Sequence, residues 1–273
     1  MVLHLILTEN QRRKNMKQGK ITSLWIPKGG GFKTTTAQSL AYGIKLLRPE
    51  AEILVIGADY QRNLTDTLAP SAPDFIMSLR EILTHKVGIN EVIVKLDKAG
   101  FDFIPESSLL AGIDLELQQT GSEYRLKEAL EELEKYYDYI FIDLPPATGS
   151  LTINALTASD QILIPSKASR YAETGVESIP NIMSPVIKYT NPNLKIAGVV
   201  FGDVSNTNLA KGLIARITSF VESLGAKAYK AQIRHTVEVE EAQEMHMSLF
   251  EYSPNGTATQ DSLAFVKEFL EEN

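Results

Sequence analysis

Cysteine is absent from the 273 residues of this chain, which excludes disulfides, thiolate nucleophiles and thiolate metal sites. The sequence also lacks any run approaching the roughly 18 consecutive apolar residues that a membrane-spanning helix needs. The apolar start at residues 1–7 is short and is followed by its charges, whereas a signal peptide places its charges first. We therefore expect a soluble, cytoplasmic protein.

No Pro/Gly/Ser-rich linker, internal repeat or low-complexity run divides the chain, which favours one large domain. The net charge of -7 argues against wholesale coating of nucleic acid, but the charge is unevenly distributed. Residues 204–237 hold a single acid, Glu222, and five basic residues: Lys211, Arg216, Lys227, Lys230 and Arg234. Residues 238–273 contain nine acidic residues and one lysine. A second basic cluster, Arg12-Arg13-Lys14, lies near the N-terminus.

Short apolar runs alternate with segments of helical periodicity along the chain. Strands are predicted at 21–26, 53–56, 101–104, 139–142, 161–164, 196–201 and about 228–233. A helix is predicted over Phe75–Leu83, and the last helix has its apolar face at Leu263, Val266, Phe269 and Leu270. This alternation predicts a doubly wound, mainly parallel α/β sheet with helices on both faces. In such sheets the ligand crevice lies at the carboxyl ends of the strands.

A glycine-rich turn, Gly29-Gly30-Gly31, follows the first strand and opens a helix. Free backbone N–H groups and a helix N-terminus suit phosphate, so Lys33 is expected at the β- and γ-phosphates and the Thr34 hydroxyl on magnesium. The usual phosphate-loop pattern has glycine where this chain has Pro27 and Phe32. The glycine at the second of these positions often takes a positive φ, where a bulky residue is strained. The alternative is a glycine-rich turn of another α/β protein.

Four segments, the glycine-rich turn among them, occur in the order typical of one family. Lys28 to Thr35 resembles the deviant Walker A motif of the ParA/MinD ATPases, except at Phe32, and Asp59 to Thr65 resembles their Asp-Pro-Gln-Gly-Asn-x-Thr motif. Residues 137–146 are similar to the family's Walker B strand, and residues 250–254 to its closing segment. The resemblance implies a P-loop NTPase fold, with an N-terminal extension at 1–19 and a single ATPase domain at 20–273.

The resemblance also implies roles for residues of the phosphate loop. Lys33 would be the phosphate-binding lysine, and Thr35 would contact the α-phosphate, while the loop backbone at 29–32 cradles the nucleotide. Lys28 looks like the family's signature lysine, which reaches the partner's nucleotide across a dimer. Otherwise it is an exposed loop lysine. The implied ligands are ATP and Mg²⁺.

Two aspartates complete the implied catalytic site. Asp143 ends an apolar strand, where a carboxylate is costly unless it faces the crevice or holds metal-bound water; the alternative is a strand-end cap. Asp59 aligns with the aspartate that positions the attacking water, and it is also expected among the residues that hold the metal. The family usually has another aspartate two residues earlier, where this chain has Gly57, and Tyr60 and Arg62 replace proline and glycine.

The family contacts adenine from two segments that correspond here to the ends of the predicted strands 196–201 and 228–233. Asp203 and Arg234 are the residues of this chain expected there. Arg234 has an open alternative as a surface or DNA-facing arginine, because a bidentate guanidinium role needs geometry that the sequence does not supply.

The resemblance implies an ATP-dependent homodimer that binds DNA non-specifically, associates with the nucleoid, and partitions or positions a cargo. A ParB-like protein or cargo adaptor would stimulate hydrolysis, and the cargo could be a plasmid, a chromosome or a protein assembly such as a carboxysome. We expect DNA contacts at Lys211, Arg216, Lys227 and Lys230, or at the N-terminal basic cluster. Alternatively, these residues only solvate the surface.

Two other functions remain open. A MinD-like membrane switch needs an amphipathic C-terminal helix with a basic polar face, and the C-terminal segment 265–273 is acidic. The second open function is a nucleotide-binding module whose phosphate loop, with Phe32, holds ATP but does not hydrolyse it. Nitrogenase-reductase relatives are excluded, since their cluster requires cysteine.

Overall fold

The computed structural model describes residues 18–28, 32–71 and 77–272. They form one eight-stranded sheet. Its strands are β1 (Lys20–Leu24), β2 (Ile53–Gly57), β3 (Val94–Leu96), β4 (Phe101–Ile104), β5 (Tyr139–Asp143), β6 (Gln161–Ser166), β7 (Lys195–Val204) and β8 (Ala228–Arg234). Seven of these strands lie where the apolar runs predict them.

The strand order is β3-β4-β2-β5-β1-β6-β7-β8. Neighbouring strands from β4 to β8 pair in parallel, whereas β3 pairs antiparallel with β4. The predicted mainly parallel sheet is therefore confirmed. The edge strand β3 was not predicted, because its three residues are partly or fully exposed and form no apolar run.

Helices connect the strands. They are α1 (Lys33–Leu47), α2 (Asn63–Leu68), α3 (Leu79–Leu83), α4 (Ile89–Val92), α5 (Ile113–Glu116), α6 (Arg125–Glu131), α7 (Ser150–Ala158), α8 (Arg170–Tyr189), α9 (Asn208–Ser223), α10 (Val237–Glu244), α11 (Leu249–Tyr252) and α12 (Thr257–Leu270). Side chains cap several of them: Ser169 accepts from the Ala172 amide at the start of α8, and Thr207 from the Ala210 amide at the start of α9. Such caps satisfy amides that have no partner inside the helix.

The central strand β5 shows why both faces of the sheet are covered. Ile140 and Ile142 pack into one hydrophobic cluster, while Tyr139 and Phe141 pack into another. Because successive side chains of a strand point to opposite faces, each cluster covers one face of the sheet. Helices α1 and α12 contribute to the second cluster, and α3, α6, α7, α8 and α9 to the first. The doubly wound arrangement is confirmed.

Some predicted boundaries differ from the structure. The first strand ends at Leu24, although the next two residues stay buried and the Trp25 amide still donates to the Leu163 carbonyl of β6 at 3.1 Å. The helix predicted over Phe75–Leu83 is α3, which starts only at Leu79 behind a Ser78 capping box. Phe75 lies outside the described residues.

On the last helix, α12, Val266 and Phe269 are fully buried, whereas Leu263 and Leu270 are only partly buried. Phe265, which the predicted face omitted, is fully buried as well. The division into an extension at 1–19 and one domain at 20–273 stays a prediction.

Candidate functional site

A cleft of about 480 Å³ lies at the carboxyl ends of the parallel strands, where the ligand crevice of this fold is expected. Residues that follow β1 and β2, and residues that end or follow β6, β7 and β8, reach it. Its lining includes Phe32, Lys33, Thr34, Thr35, Asp59, Tyr60, Lys167, Asp203, Arg234 and Gln243. Gly29, Gly30 and Gly31 lie outside the described residues.

Phe32 immediately precedes α1 and takes the left-handed backbone conformation, with φ 62°. A phenylalanine is strained in this conformation, whereas the glycine usually found at this position is not. Its ring lies against Gly202 in β7, so closely that a Cβ on Gly202 would overlap the ring. The Phe32 carbonyl accepts the Thr36 amide at 3.0 Å and the Thr36 hydroxyl at 2.7 Å. The ring contact with Gly202 and the hydrogen bonds from Thr36 together hold the left-handed turn in place.

The first turn of α1 meets the end of β5. Lys33 is 8% exposed, and the Thr34 hydroxyl donates to Asp143 Oδ2 at 2.7 Å. Burial raises the pKa of Asp143 to about 6, and the Asp59 carboxylate also raises it, while Lys33 and the Thr34 hydrogen bond oppose the rise. The other oxygen, Asp143 Oδ1, is buried and has no hydrogen-bond partner among the described residues.

These residues fit a magnesium ion that is bound mostly through nucleotide phosphates. The part of the chain that the structure describes has no group of three or more acidic, histidine or cysteine side chains that could form a metal cage. Mg²⁺ bound with a nucleotide does not need such a cage, since one or two protein oxygens plus phosphates and water suffice. The Thr34 hydroxyl, with the unpartnered oxygen of Asp143 beside it, is a donor set of that kind.

Thr35 has a partner that no motif indicates. Gln243 of α10 donates from Nε2 to the Thr35 hydroxyl at 3.1 Å, and both residues line the cleft. The contact joins the first turn of α1 to a helix 208 residues further along the chain.

Asp59 lies in the loop that connects β2 to α2. It is 7% exposed, and its Oδ1 accepts the backbone amide of Gln61 at 3.1 Å. Arg62 ends the loop in a left-handed conformation, with φ 61°, in the position where the family motif has glycine. Tyr60 is 41% exposed at the mouth of the cleft. Asp59 and Asp143 are thus both buried beside the start of α1.

Comparison with known proteins agrees with this geometry. The family model AAA_31, described as an AAA domain, matches residues 19–196. The sporulation initiation inhibitor protein Soj of Bacillus subtilis is 35% identical over 92% of this chain and 98% of its own length. The chromosome partitioning protein ParA of Caulobacter vibrioides is 31% identical over 89% of this chain and 91% of its own. The chain belongs to the ParA/Soj family of AAA_31 ATPases. It is therefore a ParA-family partition or positioning ATPase.

Solved structures of similar proteins share the P-loop NTPase-like fold. An ATP complex of an McdA variant from Cyanothece has a TM-score of 0.80 at 26% identity, and covers 94% of this chain and 98% of that chain. Cobyrinic acid a,c-diamide synthase from Mycobacterium smegmatis, with a bound ATP analogue and magnesium, has a TM-score of 0.77 at 26% identity. It covers 93% of this chain and 95% of that chain.

Lys28, the candidate for the family's signature lysine, is exposed just before the phosphate loop. Its aliphatic stem lies against Gly175 of α8, where a Cβ would be 2.9 Å from Lys28 Cγ. Only a residue without a side chain leaves room for the lysine at this point of the helix. The stem of Lys28 is thus held by its contact with α8.

The two expected adenine residues line the cleft but already have partners. Asp203 is bonded to Lys167 at 2.6 Å and to His235 Nδ1 at 2.5 Å. Burial favours the neutral form of Asp203, but the hydrogen bonds from Lys167 and His235 outweigh it and lower the pKa. Arg234 forms a bidentate pair with Asp261 of α12, at 2.8 Å for both contacts. Lys167 is a cleft residue that the sequence motifs missed.

The four expected DNA residues do not form one free patch. Arg216 on α9 is paired with Glu173 of α8 at 2.5 Å, whereas Lys211 on the same helix is exposed and has no ion pair within the described residues. Lys227 contacts Glu272 and lies 3.9 Å from the centroid of the Tyr229 ring.

The backbone amide of Lys230 is bound by Glu268 at 2.9 Å. Acidic residues of the C-terminal segment therefore lie beside the basic residues at β8, because α12 packs directly against that strand. The N-terminal cluster Arg12-Arg13-Lys14 lies outside the described residues.

Proposed function

We propose that this chain binds Mg-ATP in the cleft and uses ATP hydrolysis to switch between an ATP-bound dimer on DNA and a released form. The observation that carries the proposal is the hydrogen bond from Thr34 to buried Asp143, with Lys33 buried beside it. A lysine, a hydroxyl and a carboxylate at the start of one helix are the groups that hold a magnesium–triphosphate.

Within this proposal, Lys33 binds the β- and γ-phosphates and Thr35 the α-phosphate, together with the loop backbone at 29–32. Thr34 and Asp143 would hold the magnesium ion, Asp143 through a water molecule. When bound, Mg²⁺ neutralises charge that develops on the phosphate oxygens. Gln243 fixes the Thr35 hydroxyl through the hydrogen bond described above.

Hydrolysis in this scheme depends on Asp59. Attack on the γ-phosphate needs an oriented water more than covalent help, and a buried carboxylate can accept a hydrogen bond from that water. The Gln61 amide uses only one oxygen of Asp59, so the carboxylate keeps acceptor capacity for a water. A partner protein, ParB-like or a cargo adaptor, would speed this slow step.

Dimerisation would be two-fold symmetric, with the nucleotides at the interface. Lys28 is exposed and lies against α8, and this exposure supports a role in which its ammonium group contacts the partner's phosphates. Lysine suits this role as a point charge on a flexible stem.

Non-specific DNA binding would involve α9, with Lys211 as its free cation. Arg216 can join it, because an exposed ion pair such as that with Glu173 contributes little to stability. A dimer doubles the phosphate contacts, and counterion release makes the affinity fall steeply with salt. Association with the nucleoid would follow from this binding.

Substitution of Asp59 tests the switch. Asp59→Ala should bind ATP and accumulate as the ATP dimer, because binding contacts remain while the water loses its acceptor. Light scattering with ATP, together with phosphate release, measures both effects. Asp97→Ala, an exposed aspartate after β3, is the matched control and should behave like the parent. Parental hydrolysis by Asp59→Ala would assign the water to another residue.

Substitution of Lys28 tests the interface. Lys28→Ala should weaken ATP-dependent dimerisation more than ATP binding, since the lysine acts on the partner's nucleotide. Lys86→Ala removes another exposed lysine and serves as the control. Normal dimerisation of Lys28→Ala in light scattering would contradict the cross-interface role.

The structure gives less support to a membrane switch. A membrane switch through the C-terminal helix conflicts with the burial of Phe265, Val266 and Phe269, which pack the apolar face of α12 into the core. Within the described residues, no helix is long and apolar enough to cross a bilayer. Phosphate release from the parent protein separates the switch from a module that binds ATP without hydrolysing it.

A further inference from the structure

A buried carboxyl group beside the cleft has no role in the site described so far. Glu106 follows β4 by two residues and is 1% exposed. Strand β4 pairs with β2 in the register Ile56 with Ile104, so Glu106 lies beside the end of β2. A Cβ built on Gly57, the last residue of β2, would overlap Glu106 Oε2. The three atoms nearest to that Cβ all belong to Glu106.

The other oxygen of Glu106 holds the start of α2. Oε1 accepts the backbone amides of Leu64 at 3.0 Å and Thr65 at 3.3 Å. The Thr65 hydroxyl accepts the Glu106 amide at 3.0 Å and donates to the Glu106 carbonyl at 3.4 Å. Arg62, the residue that precedes α2, provides no side-chain cap. Glu106 therefore caps α2 from a neighbouring strand, and we call these four hydrogen bonds the Glu106 clasp.

Glu106 contacts both ends of the loop that carries Asp59. Oε2 touches the end of β2 at Gly57, and Oε1 binds the beginning of α2. Asp59 lies between these two points, and within the loop its carboxylate accepts the Gln61 amide while its carbonyl accepts the Arg62 amide. Glu106 therefore holds both ends of the loop on which the Asp59 carboxylate lies.

We propose that Glu106 is the positioning residue for Asp59, and that it supplies from β4 the carboxyl group that the family motif usually carries at position 57. The proposal rests on the proposed function, in which Asp59 orients water. Gly57 is then required, because any side chain there competes with Glu106 for the same space. The missing aspartate of the motif is a relocated carboxyl group and not a lost one.

The electrostatics of Glu106 agree with this role. Burial raises its pKa to about 8, with a further rise from the charge of Asp143, while the amides of Thr65 and Leu64 oppose the rise. A neutral carboxyl group still accepts both amides through Oε1. Glutamine can replace that acceptor, whereas alanine cannot.

A structural cap alone would have a different signature from a positioning residue. Removal of a cap lowers the melting temperature but leaves turnover unchanged at temperatures where the variant is folded. Removal of a positioning residue also lowers kcat while the KM for ATP stays nearly constant, because the phosphate and magnesium contacts lie on other elements.

The experiment compares Glu106→Ala, Glu106→Gln, Gly57→Asp and the double variant Gly57→Asp/Glu106→Ala in Mg-dependent ATP hydrolysis. Glu106→Ala should lower kcat by about 10-fold or more, since small misplacements near the reacting atoms cost up to about 100-fold. Its KM should change by no more than about twofold. Glu106→Gln should keep most of the parental kcat. Glu91→Ala is the matched control, because Glu91 caps α4 away from the cleft.

The double variant returns the carboxyl group to its usual position. Gly57→Asp alone should impair the parent, whereas the same change in Glu106→Ala should restore kcat. The melting temperature of Gly57→Ala, measured in the parent and in Glu106→Ala, tests the contact between Gly57 and Glu106 independently of hydrolysis. A fall of about 5 °C is expected only when Glu106 is present.

Parental kcat in folded Glu106→Ala, or equal effects of Gly57→Asp in both backgrounds, would overturn the role of Glu106 alone. A parent protein that releases no phosphate would instead overturn the proposed function and, with it, the positioning role. The two failures are therefore distinguishable.

Discussion

Replacement of Gly202 by alanine tests how this chain accommodates Phe32. The new Cβ would overlap the Phe32 ring, and the three atoms nearest to it all belong to that ring. The Gly202 backbone does not lie in the left-handed region, so alanine adds no backbone strain there. Overpacking of this kind costs about 1–3 kcal/mol. For a protein of this size, a melting temperature lower by about 5 °C is expected.

The same substitution should be nearly neutral in a Phe32→Gly background. Phe32→Gly by itself relieves a left-handed strain of about 1–2 kcal/mol and loses the contacts of a half-buried ring, about 1 kcal/mol. These two effects roughly cancel. The coupling energy between the two substitutions should therefore be about 1–3 kcal/mol, measured by urea or thermal unfolding of all four proteins without nucleotide.

Nucleotide binding gives a second readout of the same pair. Phe32 directly precedes Lys33, so a displaced ring should move the phosphate lysine and weaken ATP binding in Gly202→Ala, and Phe32→Gly should restore it. Equal stability losses from Gly202→Ala in both backgrounds would refute this explanation of Phe32.

Three further predictions follow from contacts in the structure. Gly175→Ala should weaken ATP-dependent dimerisation, because its Cβ displaces Lys28, while the melting temperature is unchanged or higher, since alanine favours a helix by about 1 kcal/mol. Charge reversal of Lys211 and Arg216 together should abolish the mobility shift of DNA at low salt with ATP. Charge reversal of Lys227 and Lys230 together, at β8, should have a smaller effect. Glu106→Gln should be more stable than the parent at pH 9 and equal to it near pH 4.5. The pKa of Glu106 in the folded protein, about 8, exceeds its ordinary value of 4.5. As the pH rises through this range, the free energy of unfolding of the parent therefore falls by on the order of a few kcal/mol. Thermal unfolding across pH measures this, and a constant difference would contradict it.

The parts of the structure that could be predicted depend on local patterns. The strand Tyr139–Asp143 is a run of apolar residues that ends in an acid, and a parallel sheet places that acid in the crevice. The motif around Lys33 likewise indicated a loop followed by a helix, and the expected positive φ occurs at Phe32. In both cases the signal lies within a few consecutive residues.

The unpredicted parts depend on contacts between distant segments. Gln243 reaches Thr35 across 208 residues and belongs to no motif. Glu106 follows an apolar strand, which was a usable signal, but its meaning depends on Gly57 in the neighbouring strand. The pairing of Lys227 with Glu272 arises because α12 returns to β8. Charge counts along the chain do not contain that information.

The most direct test of the central claim is an isothermal titration of Mg-ATP into the parent protein and into Lys33→Ala. The parent should bind one ATP per chain, more tightly with Mg²⁺ than with a chelator, because Thr34 and Asp143 lie together at the cleft. Lys33→Ala should show no saturable binding while its melting temperature stays near that of the parent. Unchanged ATP affinity in folded Lys33→Ala would contradict the assignment of the site.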